Sequence, residues 1–331
     1  MLNPGIGLYS SDLAPPAGSK SLLRLPFDGT GVIALIQGIE AAAAGGVTVD
    51  APKQNGLLAI LNQYAALPPS VLARMRLVVD ADAGLILGSP SVLRAFSMDP
   101  QGLSLAPPAG FTAGYSKESN GHAHLDFAYS VTSGLRLSSS EALRTLFHGQ
   151  PGFAMFGVAK RTGETTANNA GAILSITAEA VSGSAQRQMG SLYITNASTP
   201  TIGANALRSQ STTATVSINT AVPTPRQFEA LLSNANGAPA NLADGTVVQP
   251  YVNMYLNGGT SEGKPTATAA FSAGNLNWMG PLSIEMGFVA NTSGRGAIAT
   301  GLAGIISGPL VDAEVAAMNA FLMARRAQLN G

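Results

Sequence analysis

The chain has 331 residues, of which only 11% are charged and 46% are hydrophobic. Its 18 basic and 18 acidic residues cancel without forming a basic cluster, which argues against nucleic acid as a partner. The sequence has no cysteine, no uninterrupted apolar run of the roughly 18 residues that span a membrane, and no secretory leader, so we expect cytoplasmic folding without disulfides or membrane insertion.

Residues 1–110 are predicted to form an N-terminal docking or assembly region that is small and partly helical. The pentapeptide APPAG occurs at 14–18 and again at 106–110, and its Pro-Pro pair favours extended connectors. Between the two copies, helical patterns occur in GVIALIQGIEAAAA (31–44), NGLLAILNQYAAL (55–67) and PSVLARMRLVV (69–79).

Residues 111–331 are predicted to form a mainly β domain, because short segments of alternating hydrophobicity follow one another between turn residues. The segments are GFAMFGVAK (152–160), AILSITA (172–178), SLYIT (191–195), TATVSIN (213–219), YVNMYLNG (251–258) and LSIEMGFVA (282–290). In the fifth segment, one face holds Val252, Met254 and Leu256, and the other holds Asn253, Tyr255 and Asn257. We therefore expect a half-buried strand ending in an Asn-Gly hairpin turn, within an antiparallel β-sandwich.

Long stretches of the predicted sandwich carry almost no charge. Between Gln188 and Pro225 the only charged residue is Arg208, and there is none from Pro265 to Ile284. Uncharged strands with exposed edges tend to pair with other chains. We therefore expect these surfaces to be covered in an assembly.

The segment DAEVAAMNAFLMARR (312–326) predicts a closing helix. Asp312 can cap it, Glu314 lies in its first turn, and Arg325 and Arg326 in its last, so the charges match the helix dipole. One stripe is apolar and consists of Val311, Val315, Met318, Leu322 and Leu329. A helix with one apolar stripe has to lie against the sandwich or against a neighbouring chain.

The strand GLAGIISG (301–308), then Pro-Leu, then DAEVAAMNAFLMAR (312–325) resembles the ending of concanavalin A-like (laminin G-like) jelly-roll domains in bacteriophage virion proteins. Val311 stands where that family usually has serine, so the cap shifts by one residue. YVNMYLNG resembles the family's strand running into an Asn-Gly turn, and 125–160 resembles its opening strands with a short helix between them. Together the matches span 120–328.

The resemblance implies a concanavalin A-like jelly roll with a small α-rich N-terminal region and a C-terminal helix. It also implies a structural protein of a tailed-phage virion: a tail fibre, baseplate, tail or head-decoration subunit, assembled in the host cytoplasm. The implied partners are other virion proteins, copies of the same chain with a trimer favoured, and host-surface carbohydrate bound by an outward lectin-like domain. A soluble lectin module, or a glycoside hydrolase, is the alternative.

Three residues in GHAHLD form a candidate metal site. His122, His124 and Asp126 alternate, so on a strand they share a face and could present two imidazoles and a carboxylate. The pattern resembles the His-x-His element of trimeric phage fibres, whose three chains pool ligands around an axial metal. The alternative is a solvent-facing strand edge, and no cofactor is expected.

Two groups of residues are candidates for sugar contact, since sugar sites often combine an aromatic ring with neighbouring amides. One is Trp278 with Asn275 and Asn277, and the other is Tyr255 with Asn257. The alternative for Trp278 is a place in the core or an interface.

Catalytic motifs are not visible in the sequence. A glycoside hydrolase needs two carboxylates close together, whereas Glu179 and Glu285 occur singly on predicted strands. Nucleophile elbows and phosphate-binding glycine loops are also missing from the sequence. We therefore expect a protein that is not an enzyme.

Overall fold

The protein is described by a computed structural model, which covers most of the chain after residue 54. The described residues are 37, 41, 44–46, 49–50, 54–83, 85–88, 91–98, 103–129, 132–163, 170–195, 201–210, 216–221, 226–238, 240–241, 247–261, 263–288 and 297–331. The first APPAG and nearly all of the helix predicted over 31–44 lie outside these residues.

The described chain contains short strands and a few helices. The strands are β1 (Val49–Asp50), β2 (Met75–Asp80), β3 (Leu85–Gly88), β4 (Ser91–Phe96), β5 (Ser104–Leu105), β6 (Gly114–Lys117), β7 (Ala123–Phe127), β8 (Leu135–Ser140), β9 (Gly152–Arg161), β10 (Ala170–Ala178), β11 (Arg187–Thr195), β12 (Thr201–Ala206), β13 (Val216–Ala221), β14 (Glu229–Asn236), β15 (Ala240–Asn241), β16 (Val247–Val248), β17 (Tyr251–Leu256), β18 (Ala267–Ala270), β19 (Leu282–Met286) and β20 (Ile298–Ser307). The helices are α1 (Gln54–Ala65), α2 (Pro69–Leu72), α3 (Glu141–Phe147) and α4 (Asp312–Asn330). Within the described residues, no helix is long and apolar enough to cross a membrane.

Two antiparallel sheets form the body. One has six strands in the order β13-β12-β11-β10-β19-β8, and the other runs β18-β17-β14-β9-β20-β7-β6. Strand β2 also belongs to the second sheet, because β20 pairs with β7 along its first residues and with β2 along its last. A smaller sheet, β1-β3-β4-β5, adjoins the edge of β8 through backbone hydrogen bonds between Ala106 and Arg136.

The main hydrophobic core lies between the two large sheets. Alternate residues of β9, such as Phe153 and Met155, point into it and meet Ile173 and Leu192 of the six-stranded sheet. Ala154 and Phe156, on the opposite face of β9, belong to a second apolar cluster. Strand β9 is therefore buried on both faces, which explains why its sequence is almost continuously apolar.

Helices α1 and α4 cover the outer face of the eight-stranded sheet. Leu61 and Tyr64 from α1 pack in the second cluster with Phe321 and Leu322 from α4, and the rings of Tyr64 and Phe321 lie 4.9 Å apart. The glycine at 301 permits close approach, because a Cβ there would lie 2.5 Å from Leu329 Cδ1. The expectation that the closing helix lies against the sandwich is confirmed.

A buried group of charged side chains fixes these helices on the sheet. Arg325, 1% exposed, donates to Asp80 Oδ1 at 2.9 Å and to Asp82 Oδ2 at 3.0 Å. Tyr64 donates to the other oxygen of Asp80 at 3.0 Å. Burial is the largest single influence on the pKa of Arg325 and lowers it, but Asp80, Tyr64 and Asp82 together outweigh burial and raise that pKa, so the guanidinium stays charged.

The strands predicted from sequence are confirmed within the described residues, and so is the antiparallel β-sandwich, whereas 213–215 and 289–290 of two predicted strands lie outside those residues. The closing helix begins one residue earlier than a cap at Asp312 would place it, because Val311 occupies the N-cap position and Glu314 accepts from its N–H at 3.1 Å. In 69–79, the helix stops at Leu72 and the chain continues as β2.

Two details of the predicted organisation differ in the structure. The division at residue 110 does not follow the sheets, because β2 and α1 belong to the same body as the later strands. Strand β17 is not half-buried along its whole length, since Tyr255 on its outer face is only 5% exposed beneath the helices.

Replacing Arg325 by methionine is expected to lower the free energy of unfolding by about 3–5 kcal/mol, because Asp80 would be left as a buried charge without its main partner. Adding Asp80→Asn should recover part of that loss, since the uncompensated charge disappears. Urea unfolding of the three variants measures this. Arg94→Met, at an exposed position of β4, is the control and should change stability by less than about 0.5 kcal/mol. If Arg325→Met lost as little stability as the Arg94→Met control, the prediction would be contradicted.

Candidate functional site

A groove lies between the outer face of β17 and β18 and the start of α4. Its volume is about 760 Å³, within the usual range for small-ligand sites. The polar side chains along it are Asn236, Gln249, Tyr251, Asn253, Thr268 and Asp312. Prolines, alanines, Leu310 and Val311 complete the lining.

Strand pairing brings the floor residues of the groove together. Tyr251 lies opposite Ala270 and Asn253 opposite Thr268, where β17 pairs with β18. Successive side chains of a strand alternate between faces. Tyr251, Asn253 and Tyr255 therefore share the outer face. The core face of the strand holds Val252, Met254 and Leu256. Thr268 Oγ1 donates to Asn253 Oδ1 at 2.8 Å, which orients the amide.

The wall of the groove is the segment that leads into α4, and Asn234 fixes it. This amide, 1% exposed on β14, donates to the carbonyl of Leu310 and accepts from its N–H, both at 2.9 Å. Arg74 adds a contact from outside by donating to the carbonyl of Pro309 at 2.7 Å. Both sides of the groove therefore rest on the sheet.

One ion pair and two further hydrogen bonds hold the first turn of α4. Glu314 accepts from Arg74 at 2.6 Å and from Ser70 at 2.5 Å, besides the N–H of Val311. These contacts tie α4 to α2 and the residues that follow it. Asp312, two residues earlier, is exposed at the mouth of the groove.

Of the predicted sugar-contact residues, the structure places Trp278 in the core. Its side chain is 0% exposed, its ring centroid lies 5.4 Å from that of Phe147 and 5.1 Å from that of Phe153, and its Nε1 donates to Leu207 at 2.9 Å. A ring buried on both faces offers no surface to a sugar, so Trp278 has the core role that was the alternative.

The other sugar candidates occupy different surroundings. Asn275 and Asn277 are exposed, but without the ring of Trp278 beside them. Asn257 has a φ of 51° in the turn after β17, where it accepts from the N–H of Ala230 and donates to Glu229 at 2.6 Å. Tyr255 is buried, which raises the pKa of its hydroxyl. Both of these side chains are engaged in the fold, and sugar contact by Asn275 and Asn277 stays a prediction.

Sequence reasoning chose the right strand and placed Asn253 on the face of Tyr255, but it named neither Tyr251 nor Asn253 as a sugar contact. They precede Tyr255 by four and two residues, so strand alternation could have placed them on the same face. Asp312 and the wall residues are more than fifty residues away in sequence, and only the fold brings them there.

The candidate metal residues do not converge on one point. His122 contacts Asp82 through Nδ1 at 2.7 Å. His124 has Glu118 3.2 Å from one ring nitrogen and Asp126 3.2 Å from the other, so its carboxylate neighbours lie on opposite sides of the ring. His124 is also 5% exposed and is buried within its own chain. Among the described residues, no set of three or more side chains is arranged to hold a metal.

Glu179 and Glu285, which are far apart in sequence, meet at Arg136. Arg136 Nη2 donates to Glu179 at 2.8 Å, and its Nε lies 3.4 Å from Glu285. Burial raises the pKa of Glu285 to about 7, although hydrogen bonds from Ser283 and Thr177 lower it in part. A raised pKa is typical of a general acid, but Glu285 is 0% exposed and both its oxygens accept hydrogen bonds. Glu285 is therefore not accessible as a general acid, and Glu179 is paired with Arg136.

No protein-family model and no curated protein sequence matches the chain. Solved structures give distant matches. They include the receptor-binding domain of botulinum neurotoxin type G (11% identity, 75% of this chain, 51% of that chain, TM-score 0.41) and the binding domain of Paraclostridial Mosquitocidal Protein 1 (8%, 75%, 52%, 0.46). A botulinum neurotoxin type C structure, described as depending on two ganglioside molecules for cell entry, matches similarly (11%, 76%, 52%, 0.43). The chain spans about half the length of these structures, and matches at this level establish neither a family nor a shared ligand.

Glutamate 285 should make stability depend on pH. Its pKa is about 7 in the folded chain against an ordinary 4.5, so the stabilising contribution of its protonated form is complete below about pH 4.5 and lost as pH rises through 7. Between pH 5 and pH 8, the unfolding free energy of the wild type should fall by up to about 3 kcal/mol because of Glu285. Glu285→Gln should not show this part of the fall. Urea unfolding at both pH values measures the difference.

Glu141→Gln is the matched control, because this exposed glutamate has a lowered pKa and titrates below that pH range. The prediction fails if the unfolding free energy of Glu285→Gln falls as steeply with pH as that of the wild type.

Proposed function

We propose that this protein is a carbohydrate-binding β-sandwich that recognises a glycan in the groove beside α4. The observation that carries the proposal is the combination of Tyr251 with the amides of Asn253, Asn236 and Gln249 along one groove of about 760 Å³. The volume suits a ligand of a few sugar rings.

The chemistry of the lining matches that of a sugar. Amide side chains both donate and accept hydrogen bonds, as sugar hydroxyls do. A tyrosine ring supplies an apolar face with a polar tip, which suits the apolar face of a pyranose. Since the wall is fixed by Asn234 and Arg74, little ordering is needed on binding, and such preorganisation favours affinity.

The finer proposal is that the chain is a structural subunit of a tailed-phage virion, assembled in the host cytoplasm, and that the groove contacts host-surface glycans. Its support is the resemblance over residues 120–328 and the scarcity of charge between Gln188 and Pro225 and from Pro265 to Ile284. Its partners would be other virion proteins and copies of the same chain, with a trimer favoured. A soluble lectin module is the alternative, and association state separates the two.

Tyr251→Ala is expected to weaken binding to any glycan that the wild type captures on a glycan array by about tenfold or more, because it removes the aromatic anchor. Affinity for the strongest array ligand is then measured by titration calorimetry. Tyr129→Ala removes a tyrosine that is 50% exposed outside the groove, and it should leave affinity unchanged.

Trp278→Phe serves as a second control, since a core residue should affect stability and not affinity. Equal affinity of Tyr251→Ala and wild type would place the glycan elsewhere. A wild-type protein that captures no glycan would refute the proposed carbohydrate function.

The assembly proposal predicts that the purified chain forms oligomers in solution, with a trimer as the expected species. Uncharged strand edges associate because little repulsion opposes pairing. Light scattering after size exclusion at micromolar concentration gives the mass. A stable monomer would contradict the virion proposal while leaving the glycan proposal intact.

A further inference from the structure

We infer that the groove selects neutral glycans and rejects those that carry a carboxylate, sulfate or phosphate at the contacted ring. This inference rests on the proposed carbohydrate function and adds the ligand class. It follows from the charges along the groove and at the helix end that faces it.

Asp312 supplies the charge that faces the ligand. Among the described residues that line the groove, it is the only ionisable one apart from Tyr251, and it makes no ion pair with another described residue. Its charge also acts on the strand beneath the groove: burial is the main cause of the raised pKa of Tyr255, a hydrogen bond with Asn253 lowers that pKa in part, and Asp312 is among the smaller causes that raise it. An anionic group in the groove would therefore lie near an uncompensated negative charge.

The start of α4 offsets this charge less than a free helix end would, because one of its N–H groups and a neighbouring cation are already engaged by Glu314. Unsatisfied N–H groups at a helix N-terminus normally attract anions. Here the N–H of Val311, one of the four such groups at this end, already donates to Glu314. The positive charge of Arg74 is likewise directed to Glu314. The groove thus presents a helix end that already carries two carboxylates.

Lys264 is the nearest cation in sequence to the lining, because it directly precedes Pro265. A lysine at the rim could attract anions, so its contribution has to be measured separately from that of Asp312. Two single substitutions, Asp312→Asn and Lys264→Gln, each change one charge by the same amount and in opposite directions.

The experiment measures binding of matched glycan pairs on one array: lactose with sialyllactose, and glucose-terminated with glucuronate-terminated oligosaccharides. The wild type is expected to prefer the neutral member of the pair it binds by about tenfold at low salt. The ratio should shrink at 0.5 M salt, where charges are screened. Asp312→Asn should bring the ratio severalfold closer to one by strengthening binding of the acidic member, whereas Lys264→Gln should not lower it.

Each outcome supports or overturns the inference. Equal or tighter wild-type binding of the acidic glycans overturns it while leaving the carbohydrate function intact. A neutral preference that persists unchanged in Asp312→Asn also overturns it, because the selectivity would then have another origin. Thermal unfolding of each variant shows that it is folded. If neither member of any pair binds, the carbohydrate proposal fails first and this inference fails with it.

Discussion

The ion pairs of Arg325 with Asp80 and Asp82 decide how the closing helix lies on the sandwich. The apolar stripe of α4 would allow the helix to slide along the sheet, because dispersion and apolar burial are not directional. Buried ion pairs depend on position, since moving the helix by one turn would leave the arginine without its carboxylates and both aspartates without the guanidinium. The buried pairs therefore select one position of α4 out of several that its apolar residues would tolerate.

That position in turn builds the groove. Asp312 lies thirteen residues before Arg325 on the same helix, about 20 Å away at 1.5 Å per residue. The ion pairs fix one end of α4, while Glu314 and Arg74 fix the other. The wall beside Tyr251 is thus held by contacts along the whole helix.

The sequence predicts the fold better than the site, for physical reasons. Alternating and continuous apolar segments identify strands such as β9 and β17, because burial of each face is written in local residue order. The closing helix is predicted from its 3.6-residue period for the same reason. The pairing of Arg325 with Asp80 spans 245 residues, and no local pattern distinguishes a buried arginine from one that offsets a helix dipole.

The site follows the same division. Trp278 and Tyr255 attract attention as large aromatic residues, yet size favours burial as much as recognition, and both are buried. Tyr251 lies at the start of the same strand, where the covering helix begins. Tyr251 and Tyr255 share one face of β17, and the position at which α4 starts decides which of them remains accessible. That position is a property of the tertiary structure.

Ion pairs within the fold use several of the few charges among the described residues. Arg325, Arg136 and Arg74 direct their charges to carboxylates within the fold, and Lys160 contacts Glu118 while lying 4.5 Å from the ring centre of Phe228. A chain with few charges thus uses several of them internally. What remains for recognition on these faces is mostly amides, hydroxyls and tyrosine. Those groups bind neutral polar ligands and neighbouring chains by hydrogen bonding and contact area, with little long-range steering.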